Sequence, residues 1–221
     1  HLSMFERLLN AGAPQTFLNT QYRMHPKLSQ FPMRFYTEAL NNGPLTLSRE
    51  NPPGYHWPNP AIPICVLHVD EPEVPAGSSM RNPAEAEVVR VLLDQLKANG
   101  VAFNKTSIAV ITTYSGQQIV LRSVTDKNVD VYTIDKSQGE ERDIIILSLV
   151  RSNTEGKLGF LCDRRRINVA LTRARNGLII VCNTHTLAAD KRTWSFYMDW
   201  AKGQNPNLIR PAKICLAIKD Q

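Results

Sequence analysis

The sequence predicts an α/β domain built on a mainly parallel sheet, and three observations carry that expectation. Four short runs, residues 62–69, 107–112, 143–150 and 177–182, are continuously apolar and rich in Ile, Val and Leu. Strands covered on both faces read this way. Helical patterns lie between these runs rather than after them, which is the signature of strand–helix–strand units. The chain has 221 residues, 43% hydrophobic and 21% charged, enough to bury a substantial core as one domain.

The elements follow in order. Residues 16–18 form a candidate short strand. A helix is expected from Pro26 towards Leu40, with Pro32 a candidate kink because it lacks the N–H a helix needs. Residues 41–63 carry Gly43, Pro44, Pro52, Pro53, Gly54, Pro58, Pro60 and Pro63, and read as a long surface excursion. Residues 71–82 form a second polar, Pro-containing loop. The clearest helix then begins at the N-cap Asn82, with Pro83 at the first helical position and Glu85 at the capping-box position. Val88, Leu92 and Leu96 line one face, and Gly100 is its stop signal. Residues 129–134 are a fifth strand. Residues 184–203 read as helical, with Trp194, Met198 and Ala201 on one side, and residues 213–218 as a last strand-like run. The principal domain is therefore expected over residues 1–205, with 206–221 a C-terminal extension or edge strand.

Bulk properties narrow the function classes. A net charge of +6 favours polyanionic partners. Cys65, Cys162, Cys182 and Cys215 lie far apart, without the spacing of a zinc knuckle or a redox motif, so they are expected as reduced thiols with no structural metal. Together with the lack of a membrane-spanning apolar run or a signal peptide, they point to an intracellular protein, cytoplasmic or nuclear.

Arginines crowd residues 163–175, five among thirteen: Arg164, Arg165, Arg166, Arg173 and Arg175. Apolar residues recur at Ile167, Ala170, Leu171 and Ala174, so the segment reads as a helix pinned to a core by one face. Arg166 and Arg173, seven apart, then project in nearly the same direction. Rigidly aimed guanidiniums suit phosphates, while the plainer reading is a solvated basic face.

Three other segments sit at expected strand–helix transitions. In residues 19–26, Tyr22 and Arg23 precede a Pro-initiated helix, where an aromatic can stack on a base beside a phosphate-seeking cation. In residues 110–118, Thr112, Thr113, Tyr114 and Gln117 bracket a helix N-terminus rich in donors. In residues 133–143, Thr133 ends a strand, Gly139 permits close backbone approach to a ligand, and Glu141 offers a carboxylate to ribose hydroxyls. Each alone could be a packed aromatic, an ordinary cap or a polar turn.

Taken together, the four segments resemble the C-terminal RecA-like domain of superfamily 1 helicases, closest to the up-frameshift group of superfamily 1B. The resemblance spans nearly the whole chain, from Phe5-Glu6-Arg7-Leu8 to about Trp194. Gln21-Tyr22-Arg23-Met24-His25-Pro26 resembles motif IV, and Ile111-Thr112-Thr113-Tyr114 with Gln117 the family's TPY…Q segment. Asp135 to Asp143 resembles motif V, and Asn168 to Arg175 motif VI. The resemblance implies a RecA-like three-layer sandwich. It implies that Tyr22 stacks on the adenine of ATP, that Arg23 reaches the γ-phosphate, and that Gly139 and Glu141 approach ribose and phosphates. Arg173 becomes the arginine finger, with Arg166 a second candidate. Thr112, Thr133, Tyr114 and Gln117 become contacts to a single-stranded RNA or DNA backbone. Thr113 departs from the family's proline, which implies a looser turn, and Arg164, Lys136 and Ser137 also depart from the usual residues.

No G-x-x-x-x-G-K-[ST] P-loop occurs in the chain, and no Walker B acidic pair. In the family both belong to an N-terminal RecA-like domain, which would hold ATP and Mg²⁺ from across a cleft. The chain is therefore expected to be the C-terminal half of a nucleic-acid-dependent ATPase, inactive alone, with that domain and regulatory proteins as partners. The alternative is a RecA-like module retained as a binding platform for protein or RNA. RNA cannot be told from DNA by backbone contacts, and a 5′ to 3′ polarity is implied only by the resemblance.

Overall fold

The computed structural model describes residues 2–213. Its strands are β1 (Thr20–Gln21), β2 (Asn41–Asn42), β3 (Ile64–His68), β4 (Val74–Ala76), β5 (Ser79–Arg81), β6 (Ile108–Thr112), β7 (Asp130–Thr133), β8 (Arg142–Ser148), β9 (Ala174–Cys182) and β10 (Ile209–Pro211). Its α-helices are α1 (Met4–Asn10), α2 (Pro26–Ser29), α3 (Pro44–Leu47), α4 (Pro83–Ala98), α5 (Ser115–Val124), α6 (Arg164–Leu171), α7 (Thr184–Leu187) and α8 (Trp194–Gln204). Six strands form one parallel sheet in the order β10-β3-β9-β8-β6-β7. The parallel sheet with a core on each face is the expected three-layer α/β sandwich.

Strand alternation explains the three layers. Cys65, Ile179, Ile146, Val110 and Val131 lie in one register row across five strands, and all face the core built with α4 and α5. Their neighbours Ile64, Val66, Ile145, Leu147, Leu178 and Ile180 face the opposite core, with Leu28 of α2, Ile167 of α6 and Trp194 and Tyr197 of α8. A strand that feeds both cores has no polar face, hence the continuous apolar runs. Each such side chain contributes roughly 1.5–3 kcal/mol of burial.

Several elements differ from expectation. The helix expected from Pro26 is only one turn, followed by a 3₁₀ turn at Pro32–Phe35; Pro32 breaks it rather than bending it. The strand of residues 16–18 is absent, and the adjacent Thr20–Gln21 pairs with Asn41–Asn42 instead. The polar loop 71–82 holds the β4–β5 hairpin, turned at Gly77 with φ of 63°. Residues 184–203 form two helices, α7 and α8. The edge strand β10 precedes the run expected at 213–218, of which residues 214–218 lie outside the described residues.

The arginine segment also changes shape. Asp163 caps α6 by accepting from the backbone N–H of Arg165 and Arg166. The helix ends at Leu171, so Arg173 leaves it and stands just before β9. Arg166 and Arg173 therefore do not share a helical face. Nε of Arg166 lies 2.9 Å from Oδ1 of Asp135, its guanidinium 4.9 Å from the Phe160 ring centre.

Residues 134–141 run back across the sheet, from the carboxyl end of β7 to the amino end of β8. Where β8 meets β9 at that amino end, the register slips between Arg142↔Ala174 and Ile144↔Gly177. Arg175 and Asn176 there oppose the single residue Asp143, a β-bulge.

Candidate functional site

Residues 21–25, 139–141 and 172–175 meet at the amino ends of β8 and β9. The turn at residues 21–25 is shaped by Gln21, whose Oε1 accepts the N–H of Arg23 and Met24 and whose Nε2 donates to the Met24 carbonyl. The N–H of His25 donates to the Arg175 carbonyl at 2.6 Å, docking the turn onto β9. Tyr22 is 58% exposed. One side of its ring rests on Gly43, where an added Cβ would lie 2.4 Å from two ring carbons.

Arg23 points at Glu141. Its Nε lies 2.5 Å from Oε2 of Glu141, and Nη1 donates to the Thr172 carbonyl at 3.0 Å. The other oxygen of Glu141 accepts from Nε of Arg175 at 3.0 Å. Burial would raise the Glu141 carboxyl, but the hydrogen bonds and charges of Arg23 and Arg175 outweigh it and hold the pKa below its ordinary value.

Arg173 is 9% exposed. Its Nε donates to the Val169 carbonyl at 2.9 Å and its Nη1 to the Glu140 carbonyl at 3.3 Å. It has no ion-pair partner among the described residues. Burial, and then the neighbouring charge of Arg23, push its pKa down. A cation stabilised mainly by carbonyl dipoles beside a second cation suits a multiply charged anion. The residues present therefore fit a nucleotide phosphate chain. Gly139, with φ of 90°, turns the chain towards Glu141, and a Cβ there would meet nothing within 4 Å.

The residues expected to touch nucleic acid fare differently. Gln117 is completely buried; its Oε1 accepts the N–H of Asn82, and its Nε2 donates to the Asn82 carbonyl and to Ser148 Oγ. That is a correction: Gln117 supports the start of α4 and presents no amide to solvent. Thr112 is also completely buried, its hydroxyl without a hydrogen-bond partner among the described residues. Tyr114 is buried against Phe160, ring centres 5.4 Å apart. Thr133 is half-buried. These four lie near the carboxyl ends of β6 and β7, the edge of the sheet opposite Arg23. Thr113 Oγ1 donates to the Leu149 carbonyl at 3.0 Å, so a side-chain bond holds the turn where proline is usual.

Sequence reasoning missed three contributors. Arg175 read as a general charge, although its place two residues beyond Arg173 was a hint. Gly43 and Arg49 lie in the excursion; Nη1 of Arg49 donates to Oδ1 of Asn176 at 3.1 Å, and its Nη2 lies 3.5 Å from the Tyr22 carbonyl. Proximity across 127 residues leaves no local signal.

A separate cluster, His68, Asp70 and His185, gathers at the carboxyl ends of β3 and β9. The N–H of Thr184 donates to Nδ1 of His68, so the proton sits on Nε2, which donates to Asp70 at 2.8 Å. That tautomer withholds the Nε2 lone pair from a metal ion. Among the described cysteines, Cys65, Cys162 and Cys182 are free thiols, and Cys215 lies outside the described residues. No described helix is long and apolar enough to cross a membrane.

A family model described as an AAA domain matches residues 1–185. The chain is 38% identical over 213 residues to a regulator of nonsense transcripts 1 homolog of Drosophila melanogaster, covering 90% of this chain and 18% of that protein. It is 41% identical over 201 residues to regulator of nonsense transcripts 1 of Caenorhabditis elegans, covering 84% and 18%. The ATP-dependent helicase NAM7 of Saccharomyces cerevisiae is 38% identical over 201 residues, covering 84% and 20%. The chain thus spans about a fifth of the length of these curated relatives. Among solved structures, the PRRSV helicase aligns with a TM-score of 0.38 and 20% identity, covering 80% of this chain and 25% of that one. From the match over residues 1–185, the chain belongs to the AAA domain family.

Proposed function

We propose that this chain is the C-terminal RecA-like half of a nucleic-acid-dependent ATPase of the superfamily 1B helicase type. The observation that carries the reading is the convergence of Tyr22, Arg23, Glu141 and Arg173 at the amino ends of β8 and β9, with Arg173 lacking a carboxylate of its own. The helicase named among the relatives supports the reaction class.

ATP, bound with Mg²⁺ between this edge and a second RecA-like domain, supplies the transferable phosphoryl group. Tyr22 offers its exposed face to the adenine, the other being supported by Gly43. Arg23 lies next to Glu141 and the Thr172 carbonyl, poised for the γ-phosphate. Arg173 exchanges its carbonyl contacts for phosphate oxygens, the role of an arginine finger, worth about 10³ to 10⁵ in turnover. Gly139 leaves room for the ribose and phosphates, and Glu141 is the carboxylate beside them. Nucleic acid, as a single strand of RNA or DNA, is held along the opposite edge at Thr133 and the main chain near Thr112 and Tyr114. Such contacts give affinity without sequence readout.

The reading requires the second half of the site. The purified 221-residue chain should hydrolyse ATP at no more than background, with or without single-stranded nucleic acid. Robust stimulated turnover by this chain alone would contradict it.

A further inference from the structure

The β-bulge at the candidate site aims Arg175, the last residue of the arginine segment and one to which the sequence assigned no role. Because Arg175 and Asn176 share one partner position, both side chains reach Asp143: Nη1 of Arg175 at 3.6 Å and Nδ2 of Asn176 at 3.3 Å from Oδ1. Arg175 then spends its Nε on Oε1 of Glu141, while Oε2 of Glu141 holds Arg23. From Asn176 the chain of contacts continues through Arg49 to the Tyr22 carbonyl. A carboxylate with both oxygens engaged by separate guanidiniums is held in one orientation; with only one engaged, the torsion about its last bond is less constrained. Arg23 takes its direction from that carboxylate, and the Arg175 main chain also anchors His25.

We propose that Arg175 is a positioning residue that fixes Glu141 so that Glu141 aims Arg23, and that Arg49 extends the same frame to Tyr22. The role rests on the nucleotide-site reading above only for its effect on turnover; the frame itself is a property of the chain.

Two measurements test it. In the complete protein, Arg175→Gln should lower kcat for ATP about tenfold, a loss of about 1.4 kcal/mol of transition-state stabilisation, with nucleotide-free affinity for single-stranded nucleic acid unchanged. Arg175→Lys, which keeps a cation beside Glu141, should recover most of the loss. Arg175→Gln added to Arg23→Ala should cost much less than it does alone, because the aim of a missing side chain is irrelevant. Unchanged turnover in Arg175→Gln, or a full additional loss on the Arg23→Ala background, overturns the proposal. In the 221-residue chain, the Glu141 carboxyl titrated by ¹³C NMR should rise in pKa when Arg175 becomes Gln; no movement also overturns it. If Arg23→Ala itself leaves turnover intact, the nucleotide-site reading fails, and the NMR titration decides the frame independently.

Discussion

Glu85 is completely buried at the first turn of α4, where its carboxylate accepts the hydroxyl of Ser148 at 2.7 Å and the N–H of Val150 at 3.0 Å. It holds a strained residue, since Val150 has φ of 73° and is the one non-glycine residue with positive φ among those described. Burial dominates and pushes its pKa from 4.5 to about 8, against those hydrogen bonds. The unfolded chain ionises this group near 4.5, while the folded chain keeps its proton to about pH 8. Stability should therefore fall as pH rises between those values, since the folded state binds more protons there. Denaturant unfolding at pH 5 and pH 8 should show that slope in the parent chain and a smaller one in Glu85→Gln; equal slopes would show that Glu85 does not carry it. The sequence marked Glu85 as half of a capping box. Its backbone N–H does donate to Asn82, but the side chain turns to β8, and Gln117 takes the Asn82 N–H. Local spacing finds a cap; it does not find a partner 65 residues away.

At the scale of elements, the strands were legible because each feeds two cores, and α4 because its cap, its apolar face and Gly100 agree. The bulge in β9 was not, since it depends on a pairing made elsewhere in the chain, and the one-turn length of α2 was legible only as a kink at Pro32, which ends the helix instead. The excursion of residues 41–63 gave only its glycines and prolines. In the fold, Pro52 and Trp57 pack over Gly177 of β9, and Gly43 lies under Tyr22. Gly43 has φ of −68°, so alanine suits the backbone, but the Tyr22 ring must move and the Gln21 carbonyl, 3.1 Å from the added Cβ, must give slightly. Gly43→Ala should weaken ATP affinity of the complete protein several-fold while changing stability by less than about 1 kcal/mol. Unchanged affinity would mean that Tyr22 does not bear on the base.

Over the whole molecule, the sheet separates two edges: the arginines gather at the amino ends of β8 and β9, the hydroxyls at the carboxyl ends of β6 and β7. Residues 134–141 join the edges, tied to Arg166 through Asp135 at one end and to Arg173 and Arg23 through Glu140 and Glu141 at the other. Which residues formed the candidate nucleotide edge was legible from the motifs, because each falls next to a strand end. Which residues faced solvent was not: Gln117 and Thr112 look alike in sequence whether they touch a ligand or a neighbouring strand. A pure binding platform would have no use for a buried cation without a carboxylate of its own, which makes Arg173 the residue on which the account turns. The most direct test is ATP turnover by the complete protein carrying Arg173→Ala, with its affinity for single-stranded nucleic acid measured alongside. The account predicts a loss of about 10³-fold or more in turnover with nucleic-acid affinity retained; turnover equal to that of the parent would contradict it.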